Sequence, residues 1–185
     1  YIAFIAGLPE IDWDDRKLSL TVAEFREQLK DYISGRDERL IDLFFLPNDN
    51  AQVLRLLRKQ EPDGALSTVY PVKLLEDETQ EPDKTIPAYL REFIADFKEE
   101  HLRYDVSPEN VLSWMYYDYM MKADNQLVKR YAEFSMNLKN LVTALHARKY
   151  GMEVAKEVIG SNEFAVSLRL SLIHISEPTR LDVIS

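Results

Sequence analysis

The chain has 185 residues, 46% of them hydrophobic, and a formal net charge of −9 at neutral pH. This length suits one globular domain, or one domain and a small second one. The acidic balance argues against nucleic-acid binding, because no surplus of Lys and Arg is present to displace phosphate counterions. The absence of cysteine excludes disulfides and thiolate metal sites. The longest apolar run is far below the ~18 residues of a membrane span, so we expect no direct membrane span.

Glycine is scarce, at 5 of 185 residues, where ~7% is usual. Few glycines mean few tight turns, which favours long helices over hairpins. We therefore predict an all-α fold: a multi-helix bundle of antiparallel helices with one long central helix.

Residues 1–60 are predicted to form an N-terminal helical segment. Thr21 and Glu24 have the spacing of a capping box, and Gly35 is expected to stop the helix that follows. A second helix is predicted over residues 37–45 and a third over 51–60. The sequence between them, Leu46-Pro-Asn-Asp-Asn50, is expected to be a turn.

Residues 61–87 are predicted to be an acidic, Pro-rich connection, since they contain four prolines and a run of acidic side chains. So long a connection is either mobile or functional. We favour a mobile surface loop over a loop that docks on a partner. Residues 69–75 fit a turn of helix or a short strand, and the sequence does not decide between them.

Residues 88–169 are predicted to form a helical bundle. Pro87 opens one helix, and Ser107 with Pro108 opens the next. The second of these helices is rich in aromatic residues and Met. We interpret it as a helix buried on most sides rather than a cofactor site.

The long helix of this bundle is predicted over residues 124–150, with Asp124 as its N-cap and Gly151 as its stop. Six large apolar residues recur along it at steps of four and three, a spacing that forms one stripe on a helix. We call them the apolar stripe and expect them to be core: Leu127, Tyr131, Phe134, Leu138, Leu141 and Leu145. Arg148 stands where the next apolar residue is due.

Asn137, Asn140 and Arg148 lie near one side of this helix. One interpretation is a buried polar network that fixes the register of neighbouring helices. The other is that Arg148 only caps carbonyl groups at the helix end, where a cation is favoured. The network predicts that Arg148 is substantially buried, with a carboxylate or a backbone carbonyl within hydrogen-bond reach.

Residues 170–185 lack helical patterning. The run from Ser171 to Arg180, SLIHISEPTR, resembles the translated sequencing adapter that terminates some metagenome-derived chains. We interpret residues 170–185 as a non-native, adapter-derived tail and expect the native protein to continue past residue ~169.

No catalytic, cofactor-binding or metal-binding residue is predicted. The three histidines have no partner at metal-ligand spacing. No Gly-rich phosphate loop or Gly-x-Ser-x-Gly elbow is present, and no cysteine can serve as a nucleophile. An enzyme built from carboxylates that converge in space remains an alternative.

Two runs on the long helix resemble a known family. FSMNLKNL, from Phe134 to Leu141, and ARKYG, from Ala147 to Gly151, are similar to the signature helix of the rotor-socket subunit of V-type ATPases. That subunit is called C in bacterial and archaeal enzymes and d in eukaryotes. The acidic residue usual before Asn-Leu is Met136 or Asn137 here.

Residues 1–9, YIAFIAGLP, and residues 20–25, LTVAEF, are more similar still to a bacterial family of unassigned function. Its genes lie among those of V-type ATPase subunits, and it is placed where the socket subunit would be. The resemblance covers most of residues 1–169.

The resemblance implies a non-catalytic, all-helical subunit of a V-type ATPase or ATP synthase, without cofactors. Such a subunit lies peripherally on the cytoplasmic face of the membrane, links the central stalk to the membrane rotor ring, and transmits torque. Its implied partners are the other ATPase subunits. Among the residues, the resemblance gives Asn140 and Arg148 the role of a helix-registering pair. The alternative class is an unrelated helical adaptor or regulatory protein.

Overall fold

The computed structural model describes residues 2–10, 14, 19–81, 85–102 and 105–171. Within these ranges the chain is a helical bundle with ten helices and no strand, so the predicted all-α fold class is confirmed. The helices are α1 (Ile2–Ala6), α2 (Val22–Lys30), α3 (Gly35–Asp42), α4 (Leu46–Leu57), α5 (Val72–Gln80), α6 (Ala88–Lys98), α7 (Pro108–Met121), α8 (Gln126–Tyr150), α9 (Val154–Glu157) and α10 (Glu163–Ser171). They fall into two compact units, one before and one after the junction between Glu81 and Pro82.

The predicted capping box opens α2 in the first unit. The backbone nitrogen of Glu24 donates to the Thr21 hydroxyl at 3.2 Å, and the backbone nitrogen of Thr21 donates to the Glu24 carboxylate at 2.8 Å. The prediction that Gly35 stops this helix is wrong. Instead, α2 ends at Lys30 and Gly35 begins α3, because the Ser34 hydroxyl accepts a hydrogen bond from the Asp37 backbone and caps a new helix.

The turn predicted over Leu46–Asn50 is also wrong, because these residues form the start of α4. Pro47 lies in the first turn, where its missing N–H has no helical partner to lose and its fixed φ suits a helix. Asp49 and Asn50 are buried along with Leu46. This start of α4 therefore contributes to the packing of the first unit.

The segment predicted as a loop over residues 61–87 is helical in part, since α5 lies within it. The part before α5 is fastened to α4. Both carboxylate oxygens of Asp49 accept backbone hydrogen bonds at 2.9 Å, one from Val69 and one from Tyr70. The Gln52 amide oxygen accepts from the Asp63 backbone at 3.1 Å. The loop prediction is therefore wrong for residues 72–80, and the alternatives for residues 69–75 resolve to a helix that begins at Val72.

In the second unit, α7 begins as predicted, with the Ser107 hydroxyl accepting from the Asn110 backbone and Pro108 in the first turn. No residue from 110 to 121 is exposed, so this helix is buried on most sides, as its aromatic and Met content predicted. The sides of α6 and α7 that form the core carry these buried residues: Leu90, Phe93, Ile94, Leu112, Tyr116 and Met120.

The predicted long helix is α8, which has 25 residues and at ~1.5 Å per residue is roughly 38 Å long. Asn125 rather than Asp124 is its N-cap, since its side chain accepts from the Val128 backbone. Gly151 ends it in the left-handed conformation, at φ 68°, as predicted. No helix in the described part of the chain is both long and apolar enough to cross a bilayer.

Candidate functional site

The apolar stripe lies on the exposed side of α8, so the prediction that it is core is wrong. Its six side chains are between 40% and 75% exposed. The residues that α8 buries are Val128, Ala132, Met136, Asn140, Ala144 and Ala147. At about 100° per residue, the mean directions of the two sets lie about 180° apart around the helix axis. The long helix therefore packs in the bundle with one side only, and the apolar stripe lies on its opposite, exposed side.

The buried side of α8 is suited to close packing because three of its six residues are alanines. It packs against α7, α9 and α10. Ala144 lies in a small apolar cluster with Val158 and Ala165, where all three are almost fully buried. Short side chains let helix axes approach closely, whereas the large residues of the apolar stripe would hold neighbouring helices apart.

Asn140 is the polar centre of this buried side and is 1% exposed. Its amide nitrogen donates to the Ile159 carbonyl oxygen at 2.7 Å, and its amide oxygen accepts from the Ile159 backbone nitrogen at 2.9 Å. One side chain thus satisfies both backbone groups of a buried residue that belongs to no helix. Since an unpaired buried backbone group is costly, Asn140 fixes where the chain crosses α8.

Asn137 also contacts the chain that returns along α8. The Asn162 amide nitrogen donates to the Asn137 amide oxygen at 2.9 Å. The Asn162 amide oxygen in turn accepts from the Ala165 backbone nitrogen at 2.9 Å, which caps the start of α10. The two asparagines predicted to form a network are therefore both used, and they hold the segment Val158–Asn162 against α8.

Arg169 supplies the guanidinium of this arrangement, a role that the sequence analysis missed. One of its terminal nitrogens lies 2.7 Å from the carbonyl oxygens of both Val158 and Gly160. Its only signal in the sequence was an arginine between leucines on a short amphipathic helix. We call Asn137, Asn140 and Arg169, with residues 158–162 that they hold, the second clamp, because they lie in the second unit.

Arg148 is exposed, so the prediction that it is substantially buried is wrong. It lies in the last turn of α8, where a cation interacts favourably with the helix dipole. The carbonyl of its neighbour Ala147 accepts from the backbone nitrogens of Gly151 and Met152, so the helix end is closed by backbone groups. Arg148 therefore plays no part in the buried network.

Two further polar contacts connect α7 with its neighbours. The Lys139 ammonium donates to the Ser113 hydroxyl at 2.7 Å, and burial lowers the pKa of this lysine. The Asn110 amide nitrogen donates to the Glu157 carboxylate at 3.0 Å. The bond from Lys139 helps to fix the rotation of α8, because Lys139 lies about 120° around the helix from the centre of the apolar stripe.

Basic side chains border the apolar stripe. At about 100° per residue, Arg130 and Arg148 lie on one side of it and Lys149 on the other, and all three are exposed. The whole of α8 has five Lys or Arg residues and a single acidic one, Glu133, although the chain as a whole carries a charge of −9. The exposed side of α8 is thus an apolar line with a basic border.

Two features of the described residues bear on the alternative of an enzyme. In the described residues no three His, Asp or Glu side chains lie close enough together to hold a metal ion. A cavity of about 310 Å³ lies against α1 and α2, and its lining includes Phe4, Gln28, Asp31 and Tyr32. Asp31 is the only carboxylate among its lining residues.

Comparison with known proteins gives a family. Residues 1–172 match the model of the family described as "Protein of unknown function (DUF2764)". Because the match spans most of the 185 residues, the chain belongs to this family. No curated protein and no solved structure matches the chain.

Proposed function

We propose that this member of the DUF2764 family is a non-catalytic subunit of a V-type ATPase or ATP synthase. It links the central stalk to the membrane rotor ring and transmits torque between them, on the cytoplasmic face of the membrane. The observation that carries the proposal is the apolar stripe, six large side chains exposed in one line along the longest helix. An apolar patch of this kind marks an interaction site.

The packing of α8 suits a subunit that bears force. Its buried side is fastened through Asn140 to the backbone of Ile159 and through Lys139 to Ser113. Polar bonds of this kind specify one register between packed elements, which apolar contacts alone do not. A surface presented by a helix so held moves with the body of the second unit, as torque transfer requires.

The choice of a rotary ATPase rests on the sequence resemblance. The residues that carry it on α8 serve both sides of the helix. Asn140 is buried, whereas Phe134, Leu138, Leu141 and Arg148 are exposed. Asn140 holds α8 in place within the second unit, and the apolar stripe is available for docking. Such a helix can both support the fold and bind a partner. The implied partners are the central stalk and the rotor ring, with no nucleic acid and no cofactor.

The alternative is an unrelated helical adaptor, for which the same exposed stripe would also serve. The two proposals differ in the partners recovered from cells. We expect a full-length tagged protein, expressed in a host that encodes it and extracted with its membranes in mild detergent, to recover stalk and ring subunits of a V-type ATPase. Mass spectrometry of the eluate is the measurement.

The control is the same protein with Phe134→Gln and Leu138→Gln, which removes apolar contact area from the stripe and keeps good helix formers. Loss of the ATPase subunits with this variant is the expected result. Recovery of another complex in place of the ATPase would support the adaptor, and failure to recover any stalk or ring subunit would count against the rotary assignment.

A further inference from the structure

We infer that the apolar stripe of α8 docks one helix of a partner protein, and that this helix carries its own apolar heptad stripe flanked by acidic residues. The inference deepens the proposed function and rests on the part of it that makes α8 a docking surface. It does not depend on the partner being an ATPase subunit. It follows from the spacing, the width and the charge of the exposed side.

The spacing identifies the shape of the occupant. The stripe residues lie at steps of four, three, four, three and four, which is the pattern of positions a and d in a heptad repeat. Tyr131, Leu138 and Leu145 then occupy position a, and Leu127, Phe134 and Leu141 occupy position d. Side chains at these positions insert between those of a facing helix that has the same repeat. At ~1.5 Å per residue the line from Leu127 to Leu145 is roughly 27 Å long, which matches about five turns of a partner helix.

The width of the exposed apolar surface also favours a helix. At about 100° per residue the six stripe residues span about 80° around α8, narrower than the apolar face of an ordinary surface helix. Val142, which is 56% exposed, widens this surface to about 100° on one side, whereas Asn137 borders it on the other. A narrow line of apolar side chains is typical of a coiled-coil seam.

The charge around the stripe indicates which residues should border the apolar stripe of the partner helix. Arg130 lies at position g and Lys149 at position e, and Arg148 takes the next position d. Residues at e and g decide which partner a coiled-coil helix accepts, because they lie opposite the corresponding residues of the facing helix. Positions e and g of α8 carry Arg130 and Lys149 and no carboxylate, which selects a helix with Glu or Asp opposite them. The exposed Asp124 lies just before α8, in line with the stripe at its other end.

A second copy of this chain fits the surface poorly. A second copy would present no acidic residue at position e or g of α8, and in a parallel pair Arg148, at position d, would face its own equivalent. Like charges placed opposite one another disfavour pairing. An anionic membrane surface fits less well than a helix, because the exposed stripe is narrow and the chain carries a charge of −9.

The test uses synthetic helical peptides of about four heptads as probes. The first has Leu at positions a and d and Glu at e and g. The second has Lys at e and g instead, and the third has the composition of the first with its leucines moved out of heptad register. Binding to the full chain is measured by fluorescence anisotropy in about 50 mM and about 500 mM NaCl.

We expect the Glu peptide to bind at least about tenfold more tightly than the Lys peptide at low salt, with a smaller ratio at high salt. The peptide with displaced leucines should not bind. The double change Phe134→Gln and Leu138→Gln should weaken the Glu peptide by at least about tenfold. The charge reversal Arg130→Glu with Arg148→Glu should invert the preference between the Glu and Lys peptides.

Two controls separate docking from folding. Ile5→Gln changes another exposed apolar side chain, on α1, and should leave binding unchanged. The melting temperature of the stripe variant should shift by no more than about 2 °C, since the replaced side chains are already exposed.

Four results would overturn the inference. They are equal binding of the Glu and Lys peptides, unchanged binding of the stripe variant, self-association of the chain that the stripe variant abolishes, and binding to phosphatidylserine vesicles that replaces peptide binding. The result is separable from the rotary assignment. Peptide binding without recovery of ATPase subunits from membranes would support a helix-docking surface and contradict the rotary assignment. Recovery of ATPase subunits without peptide binding would support the rotary assignment and contradict the helix-docking surface.

Discussion

Each unit of the molecule holds an irregular stretch of backbone on a helix, but the two do so with different chemistry. In the first unit Asp49 and Gln52 of α4 accept hydrogen bonds from Val69, Tyr70 and Asp63. We call this the first clamp. In the second clamp Asn140 pairs with both backbone groups of Ile159. A carboxylate can only accept, so Asp49 buries a charge in the first clamp, whereas the amide of Asn140 donates and accepts without charge.

The difference has two physical consequences. Burial raises the pKa of Asp49 to about 6, even though its two backbone hydrogen bonds favour the charged form. In addition, the Gln52 amide nitrogen is buried and has no hydrogen-bond partner among the described residues. The amide of Asn140 has both of its groups paired. We therefore expect the second clamp to be stable across pH and the first to depend on it.

The largest expected effect comes from breaking the second clamp. Asn140→Leu leaves the N–H and C=O of Ile159 unpaired in a buried site, and each such group costs ~1–3 kcal/mol. We expect the free energy of unfolding to fall by about 3 kcal/mol, measured by urea denaturation. Asn137→Ala, which removes one partly buried bond, is the matched control at about 1 kcal/mol. Equal effects of the two variants would show that Asn140 has no special role.

The contribution of the first clamp to the free energy of unfolding should depend on pH, unlike that of the second clamp. Asp49 has a higher pKa in the folded chain, about 6, than the ordinary value of 3.8. Its contribution to stability is therefore fully present below about pH 4 and is lost as the pH rises through about 6. The free energy of unfolding of the wild type, minus that of Asp49→Asn, should fall by about 2.4 kcal/mol between about pH 4 and pH 7.

The measurement is a series of urea denaturation curves for both proteins between pH 4 and pH 7. Subtracting the variant removes the contributions of the other carboxyl groups, which the two proteins share. If the difference in free energy of unfolding between the two proteins were constant with pH, or rose with pH, Asp49 would not be a buried carboxyl group with a raised pKa.

A smaller effect on stability is expected from replacing a glycine in the segment that each clamp holds. Gly160 in the second clamp has φ +84°, and a Cβ there would lie 3.0 Å from the Met136 sulfur and 3.2 Å from the Trp114 ring. Gly160→Ala should therefore cost about 2 kcal/mol, from strain and from displacement of these side chains. Gly64, in the segment held by the first clamp, has open space around it, so Gly64→Ala should change stability by less than about 0.5 kcal/mol. Thermal unfolding of the two variants is the measurement, and equal losses would contradict it.

The smallest expected effect is that of a change in the apolar stripe, for which a change on the buried side of α8 is the reference. Leu138→Ala, in the apolar stripe, should change the free energy of unfolding by less than about 0.5 kcal/mol, because the side chain is half exposed. Met136→Ala, on the buried side of the same helix, should cost ~2–5 kcal/mol. Chemical denaturation of both variants checks this. A large loss for Leu138→Ala would mean that the stripe is covered within the chain.

Local signals in the sequence predicted much of the fold. The capping box at Thr21, the Ser107-Pro108 start of α7 and the Gly151 stop of α8 each depend on residues a few positions apart, and each is confirmed. The scarcity of glycine indicated helices correctly. Pro47 was misread because proline suits both a turn and the first turn of a helix, and only the residues that follow decide between them.

The side of α8 that faces the core could not be read from periodicity. Hydrophobic spacing finds the line of largest apolar side chains, but burial depends on which side fits the neighbouring helices. The alanines on the opposite side, such as Ala132 and Ala144, allow closer packing than Leu138 does. Arg169 and Asp49 were missed for a related reason. Their partners are backbone groups of irregular segments, whose positions no sequence pattern specifies.

Both clamps join positions that are close along the chain. Asn140 and Ile159 are separated by 19 residues, and Asp49 is separated from Val69 by 20. Contacts of such short range close small loops, whose entropic cost is modest and whose closure is fast. Each unit can therefore complete its defining contacts soon after its last helix leaves the ribosome, without waiting for distant parts of the chain. The contacts behind the exposed apolar stripe of α8 therefore need no distant part of the chain in order to form.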